Sequence, residues 1–182
     1  MNRVVSRTGR SIFSAILALS STACAVLTYQ PPPTGDMARL RVVTAEAIET
    51  QVLVLPDAQN GCVTKHMKQW QWFAILGQHL PRDGLQGVTI GMPGGEAFKP
   101  ISVAEATIPA EKPFSMYLIR AGYNYTCSVD LTFVPRVGVD YEANYSLVGG
   151  TCHVSVAELK KGADGEVVRS PVATSDVEFC KS

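Results

Sequence analysis

The sequence predicts an all-β fold, a disulfide-stapled antiparallel β-sandwich, and three observations carry that expectation. Apolar and polar residues alternate with a period of two through much of residues 123–157, the pattern of strands that bury one face. Glycine and proline divide the rest of the chain into short segments suited to strands and turns. Cys62, Cys127, Cys152 and Cys180 are spread over those segments, an even set suited to two disulfides in an oxidising compartment.

The alternation is clearest from residue 123. Tyr123, Tyr125, Cys127, Val129, Leu131 and Phe133 share one parity, and Asn124, Thr126, Ser128, Asp130 and Thr132 share the other. Pro135-Arg136-Val137-Gly138 then turns the chain into a second strand, where Tyr141, Ala143, Tyr145 and Leu147 alternate with Asp140, Glu142, Asn144 and Ser146. Gly149-Gly150 is a two-residue hairpin turn, and Cys152, Val154 and Val156 continue the apolar face beyond it. These three strands are expected to form a meander. Weaker strand signals fall at 38–46, 51–55, 88–92, 97–103, 113–120, 166–171 and 176–180, and the succession resembles an immunoglobulin- or transthyretin-like sandwich.

Residues 63–80 break the pattern. Met67, Trp70, Phe73 or Ala74, and Gly77 recur at a spacing closer to helical, which predicts one short helix in 63–80. Cys127 and Cys152 lie in phase with the apolar faces of their strands, so their sulfurs belong in or beside the core. Four cysteines allow three connectivities. The expected one joins Cys152 to Cys180, stapling the last strand back, and Cys62 to Cys127, tying an early loop to the core.

Charge excludes one class of partner. The chain has 16 basic and 16 acidic residues, but Arg3, Arg7 and Arg10 precede every acid, leaving thirteen basic against sixteen acidic over the remainder. A mildly acidic domain without a basic run has no electrostatic means of holding phosphate backbones, so no nucleic-acid partner is expected.

The three early arginines are followed by the apolar run 11–20 (SIFSAILALS) and then by the small residues Ser21-Thr22-Ala23-Cys24. That order is an export signal. The run is about half of the roughly 20 residues a transmembrane helix needs. Leu19 with Ser21-Thr22-Ala23-Cys24 resembles the lipobox of bacterial lipoproteins, although the preferred pattern has Leu where Ser21 stands. The resemblance implies cleavage before Cys24, a thioether-linked diacylglycerol with a further acyl chain such as palmitate, and, from Ala25 after the cysteine, an outer-membrane destination. Lipidation of Cys24 also accounts for the odd cysteine among five. The alternative is plain signal cleavage after Ala23 or Ala25. The expected domains are a signal peptide at 1–23, a lipidated N-terminus and Pro-rich tether at 24–37, and the sandwich at 38–182. Pro31-Pro32-Pro33 makes the tether extended, holding the domain tens of ångströms from the membrane.

The motifs of common chemistries are missing from the sequence. His66, His79 and His153 lack metal-ligand spacing, with no HExxH and no paired CxxC, so no metal or other cofactor is expected. No GxSxG marks a nucleophile elbow. Asp130, Asp140 and Glu142 read as solvated charges on a strand face rather than a glycosidase pair. Gly91-Met92-Pro93-Gly94-Gly95 lacks the Lys-Ser/Thr ending of a phosphate loop and reads as a turn. Asn124-Tyr125-Thr126 and Asn144-Tyr145-Ser146 match the glycosylation triplet, but both fall within strands behind a bacterial-type signal. Trp70, Trp72 and Phe73 are the candidate binding residues, since aromatics dominate interface hot spots, with capping of the sandwich as their other reading. No catalytic residue is assigned. The expectation is an envelope lipoprotein, anchored by lipid to the outer membrane with its domain in the periplasm. It would act as a structural, assembly or protein-binding accessory, against a secreted or periplasmic hydrolase or an inhibitor of a foreign enzyme.

Overall fold

A computed structural model describes residues 27–44, 49–55, 63, 70–77, 84–121, 126–178 and 180. Its described residues form nine strands: β1 Met37–Thr44, β2 Thr50–Leu55, β3 Gln71–Leu76, β4 Val103–Pro109, β5 Phe114–Ala121, β6 Thr126–Phe133, β7 Asp140–Val148, β8 Thr151–Lys161 and β9 Val167–Pro171. They make two sheets, one ordered β4-β1-β7-β8-β9 and the other β3-β2-β5-β6, stacked as a sandwich. All pairings are antiparallel except β1 with β7.

The main core lies between the sheets. Leu40 and Val42 of β1, Ala104, Ala106 and Ile108 of β4, and Tyr141, Ala143 and Tyr145 of β7 meet Val52, Val54, Phe73, Met116, Leu118, Leu131 and Phe133 from the other sheet. Period-two alternation sends these residues inward. The β7–β8 hairpin turns at Gly149 and Gly150, whose φ angles of 58° and 84° are the two left-handed positions such a turn requires.

The three expected meander strands do not share a sheet. β6 pairs with β5 along its whole length, whereas β7 lies in the opposite sheet between β1 and β8. Residues 134–139 therefore cross from one layer to the other, and the apolar faces of β6 and β8 meet across the core. Cys127 of β6 and Cys152 of β8 are joined there, with Cα atoms 6.0 Å apart. This overturns the expected pairing of Cys62 with Cys127 and Cys152 with Cys180. Both sulfurs do lie at the core, as their phase implied, and the strands that carry them face one another.

No helix forms in the described part of 63–80; residues 71–76 are β3. Val52 pairs with Ala74 and Leu53 with Trp72, so Phe73 is an extra residue bulged out of the ladder. The bulge buries Phe73 and Ala74 in succession, and this slip in parity mimics helical spacing. The segment 88–92, and all of 97–103 except Val103, are not strand either. They belong to a turn-rich loop with short 3-10 turns at Gly95–Ala97 and Pro100–Ser102, and the strand the sequence reading missed, β4, begins at Val103. The described residues of 176–180 form no strand, although Ser175 bridges to Thr132 at the edge of β6.

In its described part, from residue 27 on, the Pro-rich stretch expected as a tether at 24–37 is attached to the fold. Thr28 bridges in parallel to Trp72, the Tyr29 N–H donates to the Trp72 carbonyl at 2.7 Å, and the Trp72 N–H donates to the Leu27 carbonyl at 2.8 Å. Tyr29 is 1% exposed, and its hydroxyl donates to the Thr107 carbonyl at 2.8 Å. A single large aromatic seated in the core fixes this segment, so the chain is already attached to the fold at residues 27–29 and the prolines bridge two attached points.

Candidate functional site

The outer face of the five-stranded sheet carries a buried charged cluster that the sequence reading missed. In β1, Arg39 and Arg41 alternate with the core residues Leu40 and Val42 and so point away from the core. In β7, Asp140 and Glu142 do the same beside Tyr141 and Ala143. The parallel register sets Arg39 opposite Asp140 and Arg41 opposite Glu142. Two cations and two anions at the same spacing of two thus meet pairwise, and β4 adds Glu105 opposite Arg41 on the other side.

Arg41 and Glu105 are 0% exposed, and Glu142 is 4% exposed. The Arg41 guanidinium makes four hydrogen bonds and one further close ion-pair contact. Nε donates to Glu105 Oε1 at 2.7 Å; Nη1 donates to the Pro93 carbonyl at 2.9 Å and Glu142 Oε2 at 3.1 Å; Nη2 donates to the Met92 carbonyl at 3.0 Å and lies 2.7 Å from Glu105 Oε1. The Phe98 ring centroid is 5.3 Å from Arg41 Cζ, a cation–π contact. Glu105 Oε2 also accepts the N–H groups of Ile90 at 2.7 Å and Met92 at 3.4 Å. Glu142 takes two further bonds from Arg169 of β9, 2.7 Å from Nε and 3.2 Å from Nη2, and this bonding raises the pKa of Arg169. Beside the cluster, Arg39 grips Asp140 with two bonds of 2.6 Å, which likewise raise the pKa of Arg39.

The cluster therefore ties three neighbouring strands, β9 and the 88–98 loop into one layer. Burying charge is costly unless every charge is paired and hydrogen-bonded, and here each has its partners. Gly95 permits the approach, because a Cβ there would lie 3.0 Å from both Arg41 Nη2 and Glu105 Oε1. Asp140 and Glu142 are thus structural ion-pair partners rather than the solvated charges expected. The signal was in the sequence as Arg39-Leu40-Arg41 against Asp140-Tyr141-Glu142, but its meaning depended on the β1–β7 pairing.

A cleft of about 240 Å³ opens beside this layer, lined by Val43, Thr44, Ala97, Phe98, Lys99, Ser102 and Asn144. It is small and half polar, below the range typical of ligand pockets. His153 is exposed on β8. Among the described residues, no group of three or more His, Cys, Asp or Glu could hold a metal ion.

The aromatic candidates separate. Phe73 is fully buried in the main core, which removes it from any exposed binding surface. Trp70 is 6% exposed and packs with Leu53, Leu55, Val63 and Val177 in a second core on the outer face of the four-stranded sheet, its ring 6.0 Å from that of Tyr117. Trp72 is half-buried at the rim of that second core. Cys180 is disulfide-bonded, and its N–H donates to the Val63 carbonyl at 2.9 Å, while the Val63 N–H donates to the Glu178 carbonyl at 2.7 Å. Cys24, Cys62, His66 and His79 lie outside the described residues. No known protein family, curated protein or solved structure matches the chain.

Proposed function

We propose that this chain is a bacterial cell-envelope lipoprotein, anchored through Cys24 to the outer membrane, whose sandwich domain faces the periplasm as a non-enzymatic structural, assembly or protein-binding accessory. The observation that carries the reading is the use of the cysteines. Cys127 is joined to Cys152, and Cys180 is disulfide-bonded with its backbone clasped by Val63, the residue after Cys62. Pairing Cys180 with Cys62 closes the set of four and leaves Cys24, at the end of the export signal, for the lipid. Two or more acyl chains give stable anchoring.

The accessory role is supported by the state of the charged groups. Arg41, Glu105 and Glu142 are committed to one another and to the backbone, so they stabilise a layer and present no free acid, base or donor to a substrate. Intact mass of the protein extracted from its native membrane tests the reading. A species beginning at Cys24 with diacylglycerol and acyl mass, which gains the hydrogens of two opened disulfides on reduction, supports it. An unlipidated species removes it. Cys24→Ser is expected to shift the folded protein from membranes to the soluble periplasmic fraction.

A further inference from the structure

The point at which the chain joins the fold sets how far the domain can stand from its anchor. Leu27 and Tyr29 flank Thr28 on the edge of β3, held by the two backbone bonds to Trp72 and by the buried Tyr29 ring. Between Cys24 and that attached segment there are only Ala25 and Val26. Fully extended, the three steps from Cys24 to Leu27 span at most about 11 Å. The proline stretch adds nothing to this reach, because it lies after the attachment, between Tyr29 and β1.

We infer that the β3 edge bearing Leu27 and Trp72 is a lipid-facing surface, with the domain seated directly on the bilayer headgroups. The inference rests on lipidation of Cys24. The lipidated cysteine places its glycerol thioether at the headgroup level, so Leu27 is confined within about 11 Å of that level. The side chains at this edge suit an interface. Leu27 is the most exposed of the large apolar residues described, at 71%, and Trp72 beside it is half-buried, with the amphipathic indole that favours the boundary between lipid and water. An exposed leucine at the end of a free tether would have no such role; one pinned to a strand edge within reach of the lipid does.

Neutron reflectometry of the full lipoprotein in a supported phosphatidylethanolamine–phosphatidylglycerol bilayer tests this. The wild-type protein is expected to show no resolved water layer between headgroups and protein. Inserting twenty Gly/Ser residues between Val26 and Leu27 is expected to open one, since such a linker has a mean reach of about 25 Å. Lipids brominated near the headgroup are expected to quench tryptophan fluorescence in the wild type and not in the insertion variant. A lipidated wild-type protein with a water layer of tens of ångströms, or an insertion that leaves both readouts unchanged, overturns the inference while the lipoprotein reading stands. Absence of lipid at Cys24 by intact mass overturns that reading and this inference with it.

Discussion

Arg41 lies 2.7 Å from Glu105 at a place where neither side chain reaches solvent, and the same guanidinium bridges to Glu142 one strand away. One cation thus bridges two buried anions, the second of which Arg169 also pairs, and binds the carbonyls of the loop above. This arrangement gives the outer face of the sheet a charged but closed layer where a hydrophobic one would be usual.

Arg41→Met is expected to destabilise the fold by about 3–5 kcal/mol, because it leaves Glu105 buried with only the backbone N–H groups of Ile90 and Met92 and leaves Glu142 to Arg169 alone. Replacing Glu105 as well, in Arg41→Met with Glu105→Leu, is expected to recover part of the loss. Urea unfolding of the two variants checks this; a double variant no more stable than Arg41→Met would contradict it.

The Cys127–Cys152 bond closes a loop with a sequence separation of 25 and joins the two layers. Loop-closure entropy puts its contribution at about 3–4 kcal/mol. Cys127→Ser with Cys152→Ser is expected to lower the melting temperature accordingly. A peptide map without reduction is expected to recover Cys127 with Cys152 and Cys62 with Cys180.

Gly84 and Gly138 both have left-handed φ angles, 65° and 73°, but different surroundings. A Cβ at Gly84 would lie 2.5 Å from the Phe73 carbonyl oxygen, whereas one at Gly138 would meet nothing within 4 Å. Gly138→Ala carries only the conformational cost of about 1–2 kcal/mol. Gly84→Ala must also displace the bulged strand and is expected to cost about 1–3 kcal/mol more. Equal effects in thermal unfolding would show that β3 yields at that point.

Burial raises the pKa of Tyr29 well above its usual value of 10.0. Both folded and unfolded chains hold this proton below pH 10, so stability there is unaffected. Above pH 10 the unfolded chain loses it first, and stability is expected to fall with rising pH by up to about 1.4 kcal/mol per unit. Tyr29→Phe loses the bond to the Thr107 carbonyl, at a cost of about 1 kcal/mol at neutral pH. It should also flatten the alkaline decline, and an unchanged decline would place its origin elsewhere.

Alternation alone was enough to assign one buried face to β6, β7 and β8, to place the hairpin at Gly149-Gly150, and to put the sulfurs of Cys127 and Cys152 against the core, because side-chain direction in a strand is a local property of the backbone. Which layer each strand joins is not local. β6 and β7 adjoin in sequence yet lie in opposite sheets, so the cysteine pairing followed from sheet membership that no spacing reveals. The burial of Asp140 and Glu142 likewise depended on β1 arriving from a hundred residues away in parallel register, since a charge on a strand's outer face is solvated or buried according to what covers it. Phe73 was hidden by a bulge that shifts parity by one residue, and Tyr29 by proline neighbours that read as a linker. Local chemistry determined which way the residues face; only the assembled layers decided what each of them meets.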